Sequence, residues 1–474
     1  MLDAETCHGA CDAKDRRFDG RFYIGVTSTG IYCRCICRAR TPKRANRTFW
    51  PSAAAAEAAG FRPCLLCRPE RAPGLAPIDA PARLAAAAYA RIEAGALEEA
   101  GLEALARELG VTSRHLRRVM SAQFGASPIE IAQTGRLLAA RRLLNETALP
   151  VTEIAFASGF RSLRRFNHTM KARYGAPPTK MRGRKAIQRG ETFTVSLSPR
   201  GDYNIAPILQ FLSTRALAGV ELGGAKTYAR TLKWGEALGW IEVGLKESKG
   251  GAKGLMLTLS ENLAPHLRPL VANVRGAFDL DAEMTSVDAH LATDAELRAD
   301  VKREPGVRVP GALDGFECAI RAVLGQQVTV AGARTLTERL VKSFGAPLER
   351  GPEGLTHAFP DAAALANSKP AAIAKIGVPG KRAETLHALA AAAASGKLTL
   401  ARGAIASGRA ALAEIPGVGP WTIEYLAMRA LGDPDAYPAT DIALINALGR
   451  KGETLEHLKP WRAYAAIRLW RRGA

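Results

Sequence analysis

Five cysteines near the start of the chain have the spacing of a metal site. Cys33, Cys35 and Cys37 alternate with other residues, and Cys64 and Cys67 follow as a C-x2-C pair. Zinc binds four thiolates in a tetrahedron, and two short cysteine pairs about 30 residues apart can supply all of them. Coordination also keeps sulfur deprotonated near neutral pH, which makes it a nucleophile. The sequence therefore predicts a zinc site built from thiolates.

The spacing alone leaves the choice of ligands open. Cys35 lies inside the first cluster and offers a rival set of ligands. Cys7 and Cys11 form a further C-x3-C pair that could compete, although small buried side chains are the simpler account of both.

A second group of residues suited to chemistry lies near the end of the chain. The segment 416–420, Pro-Gly-Val-Gly-Pro, separates two helical patterns and predicts a tight hairpin. Gly417 and Gly419 would let backbone N–H groups approach phosphate oxygens without side-chain obstruction. Asp441 follows about 20 residues later. A desolvated carboxylate can stabilise a positive charge that develops in a reaction, and the simpler alternative is a helix N-cap.

The net charge and the length of the chain limit which partners these sites can have. The chain has 474 residues, a formal charge of +21 and a pI near 9.9, which favours a polyanionic partner, with nucleic acid first. Residues 1–190 hold 32 basic and 16 acidic side chains, and residues 191–474 hold 34 and 29. No signal peptide or long apolar run is visible, so we expect a cytoplasmic protein with no membrane partner, whose cysteines are ligands or nucleophiles rather than disulfides.

Four compositional blocks must position these residues in a multidomain, mainly α protein. We expect a small α/β cysteine-bearing domain at 1–75, an all-α domain at 80–185, an α+β domain at 190–283 and an all-α domain at 284–474. Alternating runs at 192–197 and 254–260 predict strands of the third block. Breaker-rich stretches at 68–74, 181–185 and 304–311 are expected joints.

The second block contains a repeat of helix, glycine turn and helix. Residues 105–125 are echoed by residues 154–175, and each copy has a helix-turn-helix layout. Two copies about 50 residues apart resemble the AraC-type DNA-binding domain. Basic side chains of the second helices are expected to reach phosphates and base edges; a solvated basic face is the alternative. The predicted DNA-binding residues are Arg114, Arg117, Arg118, Arg161, Arg164 and Arg165.

The cysteine block resembles the metal-binding module of Ada-type alkylation-repair proteins over about 15–72. The family's C-x3-C and C-x2-C ligand pairs map onto Cys33, Cys37, Cys64 and Cys67, although Cys35 stands where related sequences usually have proline. The resemblance implies that Cys33 accepts a methyl group from a DNA methyl phosphotriester. A purely structural zinc is the alternative.

The lesion's charge supports that expectation. A methyl phosphotriester is neutral, so an anionic thiolate cage can approach it, whereas an ordinary phosphodiester is repelled. Methylation of Cys33 then removes a negative charge and should raise affinity for the DNA backbone. Arg40 and Arg62 flank the cysteine pairs and are expected to hold neighbouring phosphates.

The last two blocks resemble AlkA-type 3-methyladenine glycosylases of the helix-hairpin-helix superfamily. The match rests on the hairpin and Asp441 together with residues 322–328 and 459–465. It implies that Asp441 is catalytic, that Gln327 fills the gap left by the flipped base, and that the base pocket is lined by Trp421, Tyr425 and Trp461. An alkylated purine carries positive charge, so it leaves readily and suits an aromatic face. For Trp421 and Trp461 the simpler alternative is an ordinary core position.

These motifs together predict an alkylation-damage response protein. We expect a monofunctional DNA-3-methyladenine glycosylase II, because Trp421 stands where lyase-type relatives carry an attacking lysine. It is joined to a methyl phosphotriester sensor and transcription activator, with double-stranded DNA as partner, RNA polymerase as a further partner, and a monomeric chain. Two alternatives stay open: a regulator with structural zinc and an inactive glycosylase fold, or a repair enzyme whose front half only adds DNA affinity.

Overall fold

The computed structural model describes residues 2–69, 72, 83–147, 149–182, 192–201, 203–246, 254–450 and 453–473. The chain forms two compact units: Met1–Asp202 with Lys246–Asn273, and Tyr203–Leu245 with Val274–Ala474. Most of the joint expected at 68–74, and residues 183–185 of the next one, lie outside the described residues.

The third expected joint, 304–311, does not separate the two compact units. It lies inside the second unit, where fully buried Arg308 donates to the carbonyl oxygens of Asp279 and Ala282. The buried arginine ties this turn-rich stretch into the core, and composition could not reveal that.

A small four-stranded sheet carries the cysteine block. Its elements are α1 (Ala4–Asp12), β1 (Tyr23–Val26), β2 (Ile31–Cys33), β3 (Arg47–Trp50), α2 (Ala53–Ala58) and β4 (Arg62–Pro63). The strand order is β3-β1-β2-β4, and β2 runs parallel to β4 with Tyr32 opposite Pro63. Since each of these strands leads directly into a cysteine, Cys33 and Cys64 leave the sheet side by side.

Eight helices follow in the described part of the first unit. They are α3 (Arg83–Glu93), α4 (Ala96–Glu99), α5 (Gly101–Glu108), α6 (Ser113–Phe124), α7 (Pro128–Glu146), α8 (Val151–Ala157), α9 (Leu163–Tyr174) and α10 (Pro178–Met181). The second helices of the predicted repeat, α6 and α9, begin at the N-caps Thr112 and Ser162 and end at the left-handed glycines Gly125 and Gly175. The predicted tandem helix-turn-helix is confirmed.

The strand-rich segment contributes to both units. Its elements are β5 (Thr192–Leu197), α11 (Ala206–Thr214), β6 (Glu221–Gly223), β7 (Thr227–Trp234), β8 (Ala237–Lys246), β9 (Gly254–Ser260) and α12 (Leu267–Ala277). In the first unit β5 pairs antiparallel with β9 and buries alternate residues, as the sequence predicted. In the second unit β6, β7 and β8 form an antiparallel meander.

The described remainder of the second unit is helical apart from one short ladder. The helices are α13 (Met284–Leu291), α14 (Arg298–Arg303), α15 (Gly315–Leu324), α16 (Val330–Phe344), α17 (Ala362–Ala366), α18 (Pro370–Ala374), α19 (Gly380–Ala394), α20 (Ile405–Ala413), α21 (Pro420–Leu426), α22 (Ile442–Leu448) and α23 (Arg462–Trp470). The expectation of an all-α block is corrected only by β10 (Ala346–Pro347) pairing with β11 (His357–Ala358).

One turn of π-helix continues α21 over Ala427–Leu431. Helices α15, α19 and α21 pack around an apolar core that includes Ile320, Leu386 and Leu426. No helix within the described residues is both long and apolar enough to cross a bilayer.

Candidate metal centre and catalytic cavity

Four cysteine sulfurs meet where β2 and β4 end. The Sγ atoms of Cys33, Cys37, Cys64 and Cys67 all lie within 4.8 Å of one another. Tetrahedral zinc with Zn–S bonds of about 2.3 Å places its sulfurs roughly 3.8 Å apart, so the four side chains fit this ion. The predicted ligand set is the one that the fold brings together.

The thiols of this cluster differ in their pKa values. A hydrogen bond to Cys37 raises the pKa of the Cys33 thiol far above its usual range. The hydrogen bond to Cys33 lowers the pKa of Cys37 to about 7 and also lowers the pKa of Cys64. Sulfurs held this close together readily exchange their protons for a dication.

Cys33 differs from the other three sulfurs in its surroundings. The backbone N–H of Arg34 donates to Cys67 Sγ at 3.4 Å, that of Leu66 donates to Cys64 Sγ at 3.4 Å, and a backbone hydrogen bond at Ala39 helps to lower the pKa of Cys37. Within the described residues no backbone N–H donates to Cys33 Sγ. Such bonds withdraw electron density from sulfur, and the partly exposed Cys33 lacks them.

A buried arginine braces the two cysteine pairs. Arg34 follows Cys33, forms a two-point ion pair with Asp19, and donates to the Cys67 carbonyl oxygen at 3.2 Å. Both charged side chains are buried. The pair therefore fixes the spacing between β2 and the second cysteine pair.

The remaining cysteines of this block lie in an apolar cluster. Cys7, Cys11 and Cys35 pack with Phe22 and Ile24, and Cys35 Sγ donates to the Asp15 carbonyl oxygen at 3.4 Å. Burial raises the pKa of Cys7 to about 11 and that of Cys11 to about 12. The rival ligand sets left open by the spacing are therefore not the ones the fold assembles.

Exposed arginines surround the cysteine cluster. Arg40 and Arg62, predicted from the sequence, are exposed, and so is Arg38. Among the described carboxylates, none forms an ion pair with these three side chains. They are free to meet phosphates.

Most of the predicted arginines of the helix-turn-helix repeat face solvent. Arg114 and Arg117 of α6 and Arg164 and Arg165 of α9 are exposed. Arg118 is exposed as well, and its guanidinium lies 3.1 Å from His115 Nδ1. Arg161 precedes α9, and its guanidinium donates to the Glu98 carbonyl oxygen at 2.6 Å, so it is partly committed within the protein.

The cysteine block is joined to the repeat by buried polar contacts. Glu57 on α2 accepts from the Tyr32 hydroxyl at 3.0 Å and from the Thr134 hydroxyl of α7 at 3.2 Å. Its carbonyl oxygen accepts from Arg173 of α9 at 2.9 Å, and Arg141 of α7 donates to the Cys64 carbonyl oxygen at 3.2 Å. Burial raises the pKa of Glu57. No pattern in the sequence indicated this network of contacts.

A large cavity opens in the second unit beside the predicted hairpin. Its volume is about 1450 Å³, and six predicted residues line it: Gln327, Gly417, Gly419, Trp421, Tyr425 and Asp441. The rings of Trp421 and Tyr425 stack at 5.2 Å between centres, with 13° between their planes. Two of the three aromatic residues expected in the wall of the base pocket therefore line this cavity.

Asp441 is both a helix N-cap and a wall residue. Its Oδ1 accepts from the backbone N–H groups of Ala443 and Leu444 at 3.0 and 3.1 Å and from Trp470 Nε1 at 2.9 Å. Its Oδ2 accepts from Trp421 Nε1 at 2.8 Å. The N-cap interpretation and the catalytic one are therefore compatible, since the cap orients the carboxylate.

Trp470 takes the place that was predicted for Trp461. Trp461 is not among the residues that line the cavity; its ring packs edge-on against His290, 4.7 Å between centres. Trp470 lines the cavity and lies near Tyr425, 6.2 Å between ring centres. Trp461 is the N-cap residue that precedes α23 and Trp470 is the last residue of that helix, and the pattern of aromatic residues did not resolve which of them reaches the cavity.

Two arginines in the cavity were also missed. The guanidinium carbons of Arg215 and Arg429 lie 4.0 and 4.4 Å from the ring centre of Phe211, and Arg429 donates to the Tyr425 hydroxyl at 2.7 Å. Burial lowers the pKa of Arg215. No described carboxylate pairs with either arginine, so among the arginines that line the cavity these two are cations without an acidic partner in the described part of the chain. The π-helical turn at 427–431 carries Arg429 to this position.

The hairpin is hydrogen-bonded to the residue that precedes Gln327, the side chain predicted to fill the gap left by a flipped base. Gly417 has φ +85°, and a Cβ there would lie 2.1 Å from Thr385 Oγ1, whereas Gly419 has open space around it. Gln326 Nε2 donates to the Gly417 carbonyl oxygen at 3.3 Å and to Thr422 Oγ1 at 3.1 Å. The next residue, Gln327, has a left-handed backbone with φ +57° and borders the cavity.

Four family models match the chain in succession. They are the metal binding domain of Ada at residues 6–70, a helix-turn-helix domain at 105–184, the AlkA N-terminal domain at 194–314, and the HhH-GPD superfamily base excision DNA repair protein at 320–471.

Known proteins match either the whole chain or a little over half of it. The "probable bifunctional transcriptional activator/DNA repair enzyme AlkA" of Mycobacterium tuberculosis is 37% identical over 99% of this chain and 96% of its own length. DNA-3-methyladenine glycosylase 2 of Escherichia coli is 32% identical over 59% of this chain and 96% of its own. The 3-methyladenine DNA glycosylase structure from Archaeoglobus fulgidus, 17% identical, shares the fold with a TM-score of 0.50 over 58% of this chain and 97% of that structure.

Proposed function

Because the chain belongs to the family of AlkA-type bifunctional transcriptional activator/DNA repair enzymes, we propose that it removes 3-methyladenine from DNA and accepts methyl groups from DNA phosphotriesters. It combines an AlkA-like glycosylase with an Ada-like zinc site and a helix-turn-helix regulator. The division into domains at 1–75, 80–185, 190–283 and 284–474 belongs to this proposal.

The glycosylase step rests on one observation: the Asp441 carboxylate lies on the cavity wall, oriented by two indole N–H groups. The bond between C1′ and the base nitrogen breaks, and its electron pair leaves with the base, which becomes neutral because the alkylated purine was a cation. Asp441 stabilises the oxocarbenium-like sugar, and water adds to C1′ and releases a proton.

The reaction ends with addition of water to C1′, and the DNA strand is not cleaved. Trp421 occupies the position after the hairpin from which a lysine would attack the sugar carbon, and its indole N–H binds Asp441 instead. Gln327 fills the gap left by the flipped base, and the N–H groups at Gly417 and Gly419 hold the backbone.

Release of 3-methyladenine from methylated duplex DNA tests this assignment. Asp441→Asn should lower the single-turnover rate at least about 100-fold, because the anion that faces the sugar cation is lost. The matched control is Glu414→Gln, an exposed carboxylate beside the hairpin, which should keep the wild-type rate. An Asp441→Asn protein as fast as wild type would contradict the assignment and favour the inactive-fold alternative.

The methyl-acceptor step uses the half-exposed Cys33. Bound zinc keeps the four sulfurs as thiolates. Cys33 Sγ attacks the methyl carbon, the carbon–oxygen bond to the phosphotriester breaks, and the phosphate leaves as an ordinary anionic diester. The thiolate becomes a neutral thioether, so the block loses one negative charge and binds the DNA backbone more tightly. The arginines of α6 and α9 read the promoter in that state.

The remaining parts of the proposal concern the whole protein. An activator of this kind works beside RNA polymerase, and the chain acts as a monomer in the cytoplasm, where chromosomal DNA is available. Arg40 and Arg62, both exposed, hold the phosphates that neighbour the lesion.

A further inference from the structure

Two leucines are exposed at the tip of the second cysteine pair. Leu65 and Leu66 occupy the positions between Cys64 and Cys67, and 72% and 60% of their surfaces are accessible. They are the most exposed large apolar side chains of the described part of the cysteine block. Exposed adjacent leucines gain free energy when a partner covers them.

The fold does not use these side chains. The loop is held by its backbone, since the Leu66 N–H donates to Cys64 Sγ at 3.4 Å. Neither leucine belongs to the apolar clusters that stabilise the cysteine block. Other residue types would satisfy the same loop, so the leucines need an explanation outside folding.

Their position places them beside the reactive sulfur. Leu65 and Leu66 lie between two ligands whose Sγ atoms are within 4.8 Å of Cys33 Sγ. Neighbouring Cα atoms along a chain are only about 3.8 Å apart, so Leu66 lies next to the half-exposed Cys67. A DNA backbone that presents a methyl group to Cys33 therefore also meets this tip.

The charges around the tip indicate which part of the DNA it meets. The exposed and unpaired Arg38, Arg40 and Arg62 belong to the two cysteine pairs and their flanks. Arginines suit the charged phosphates on either side of the lesion, while an apolar tip suits the lesion itself. An ordinary phosphate in that position would lose its hydration against leucine without gaining a partner.

We propose that Leu65 and Leu66 form an apolar contact for the neutral methyl phosphotriester and its deoxyribose, and that this contact rejects ionised phosphodiesters. The proposal rests on the methyl-acceptor function of Cys33. According to this proposal, Leu65 and Leu66 distinguish a damaged DNA backbone from a normal one. They act in addition to the charge of the thiolate cage.

The test uses the full-length zinc-loaded protein and two duplexes, identical except for a single methyl phosphotriester. The variants are Leu65→Ala/Leu66→Ala, Leu65→Lys/Leu66→Lys and, as a control, Ile129→Ala, an exposed aliphatic residue outside the cysteine block. Three quantities are measured: the single-turnover methylation of Cys33 by peptide mass spectrometry, the affinity for each duplex, and the zinc content.

The double alanine variant should keep one zinc per chain, methylate Cys33 about tenfold more slowly and bind the unmodified duplex as wild type does. The double lysine variant should bind the unmodified duplex about tenfold more tightly at low salt and lose most of its preference for the lesion. Ile129→Ala should match wild type in all three measurements.

Methylation by the double alanine variant at the wild-type rate would overturn the proposal. So would unchanged discrimination by the double lysine variant with its zinc retained. Binding of anionic phospholipid vesicles that requires the leucines, with methyl transfer unaltered, would assign the tip to a membrane instead. If wild-type protein takes up no methyl on Cys33, the methyl-acceptor function itself fails, which is a separate result.

Discussion

The carboxylate proposed as catalytic is oriented by donors from three parts of the chain. Asp441 accepts from the helix that it caps, from Trp421 after the hairpin, and from Trp470 near the last turn of α23. A sequence motif can identify the acid because its spacing from the hairpin is fixed. It does not identify Trp470, because that hydrogen bond depends on how α23 packs.

The hydrogen bond from Trp470 can be tested by removing only its N–H group. Trp470→Phe keeps an aromatic ring but leaves Asp441 Oδ1 with one donor fewer, so we expect kcat for base release to fall about tenfold with little change in KM. Single-turnover and steady-state release of 3-methyladenine would measure the two constants. Trp234→Phe, at the end of β7 and outside the cavity, is the control. A change in KM alone would contradict a role in orienting the acid.

At the scale of elements, the hairpin between α20 and α21 contains two glycines whose backbone conformation and surroundings differ. Gly417 has a left-handed backbone and lies against Thr385, whereas Gly419 has neither restriction. The sequence predicted both as phosphate-binding positions but could not separate structural need from DNA binding.

Alanine substitutions should separate these roles. Gly417→Ala combines a left-handed φ with a Cβ 2.1 Å from Thr385 Oγ1, so we expect a loss of at least about 1 kcal/mol in the free energy of unfolding. Gly419→Ala should leave stability unchanged and weaken binding to undamaged duplex, because the added methyl group obstructs a phosphate. Denaturant unfolding and fluorescence anisotropy measure the two effects. Equal destabilisation by both changes would contradict the assignment.

The packing of α2 on α7 has a pH dependence of predictable sign. Burial raises the pKa of Glu57 above its ordinary value of 4.5, so the folded protein holds this proton more tightly than the unfolded chain. The contribution of Glu57 to stability is therefore present below that ordinary value and is lost as pH rises through the folded pKa.

Glu57→Gln removes this ionisation while keeping the shape of the side chain. The stability of the variant relative to wild type should increase as the pH rises from 4.5, the ordinary pKa, through the raised pKa of Glu57 in the folded state, because only wild type must then ionise a buried carboxyl group. Zinc-loaded samples of both proteins, unfolded by denaturant at each pH, give this difference directly. Parallel pH curves would mean that Glu57 keeps its ordinary pKa.

At the scale of the whole molecule, the positive charge is concentrated in the front half. The exposed arginines of α6 and α9 have no carboxylate partners among the described residues, so each one that binds a DNA phosphate should release a counterion. The dependence of DNA affinity on salt should therefore originate largely there.

The double variant Arg117→Gln/Arg164→Gln tests this distribution. The slope of log affinity against log salt concentration should become shallower by about 2, close to one unit for each phosphate that is no longer neutralised. Arg303→Gln is the control, since Arg303 is 69% exposed but paired with Asp300. An unchanged slope in the double variant would place the phosphate-binding charges elsewhere.

Local patterns predicted much of this molecule, and interactions between residues distant in sequence account for what they missed. The repeat, the hairpin and the alternating strands β5 and β9 follow from spacing and periodicity, whereas the choice among the cysteine ligands came from the family resemblance. Arg429 in the cavity depends on a π-helical turn, and the position of Glu57 against α7 depends on tertiary packing. Trp461 was assigned to the cavity because sequence does not show which side of the loop before α23 it faces.

Gln326 joins the hairpin to Gln327, the residue proposed to replace a flipped base. Under the proposed function, holding the backbone and probing the base stack are therefore performed by one connected part of the protein. Wherever this part of the protein binds along a duplex, it also tests how strongly the local bases are stacked. Weakly stacked nucleotides yield first, so the search for lesions and the selection among them become the same event.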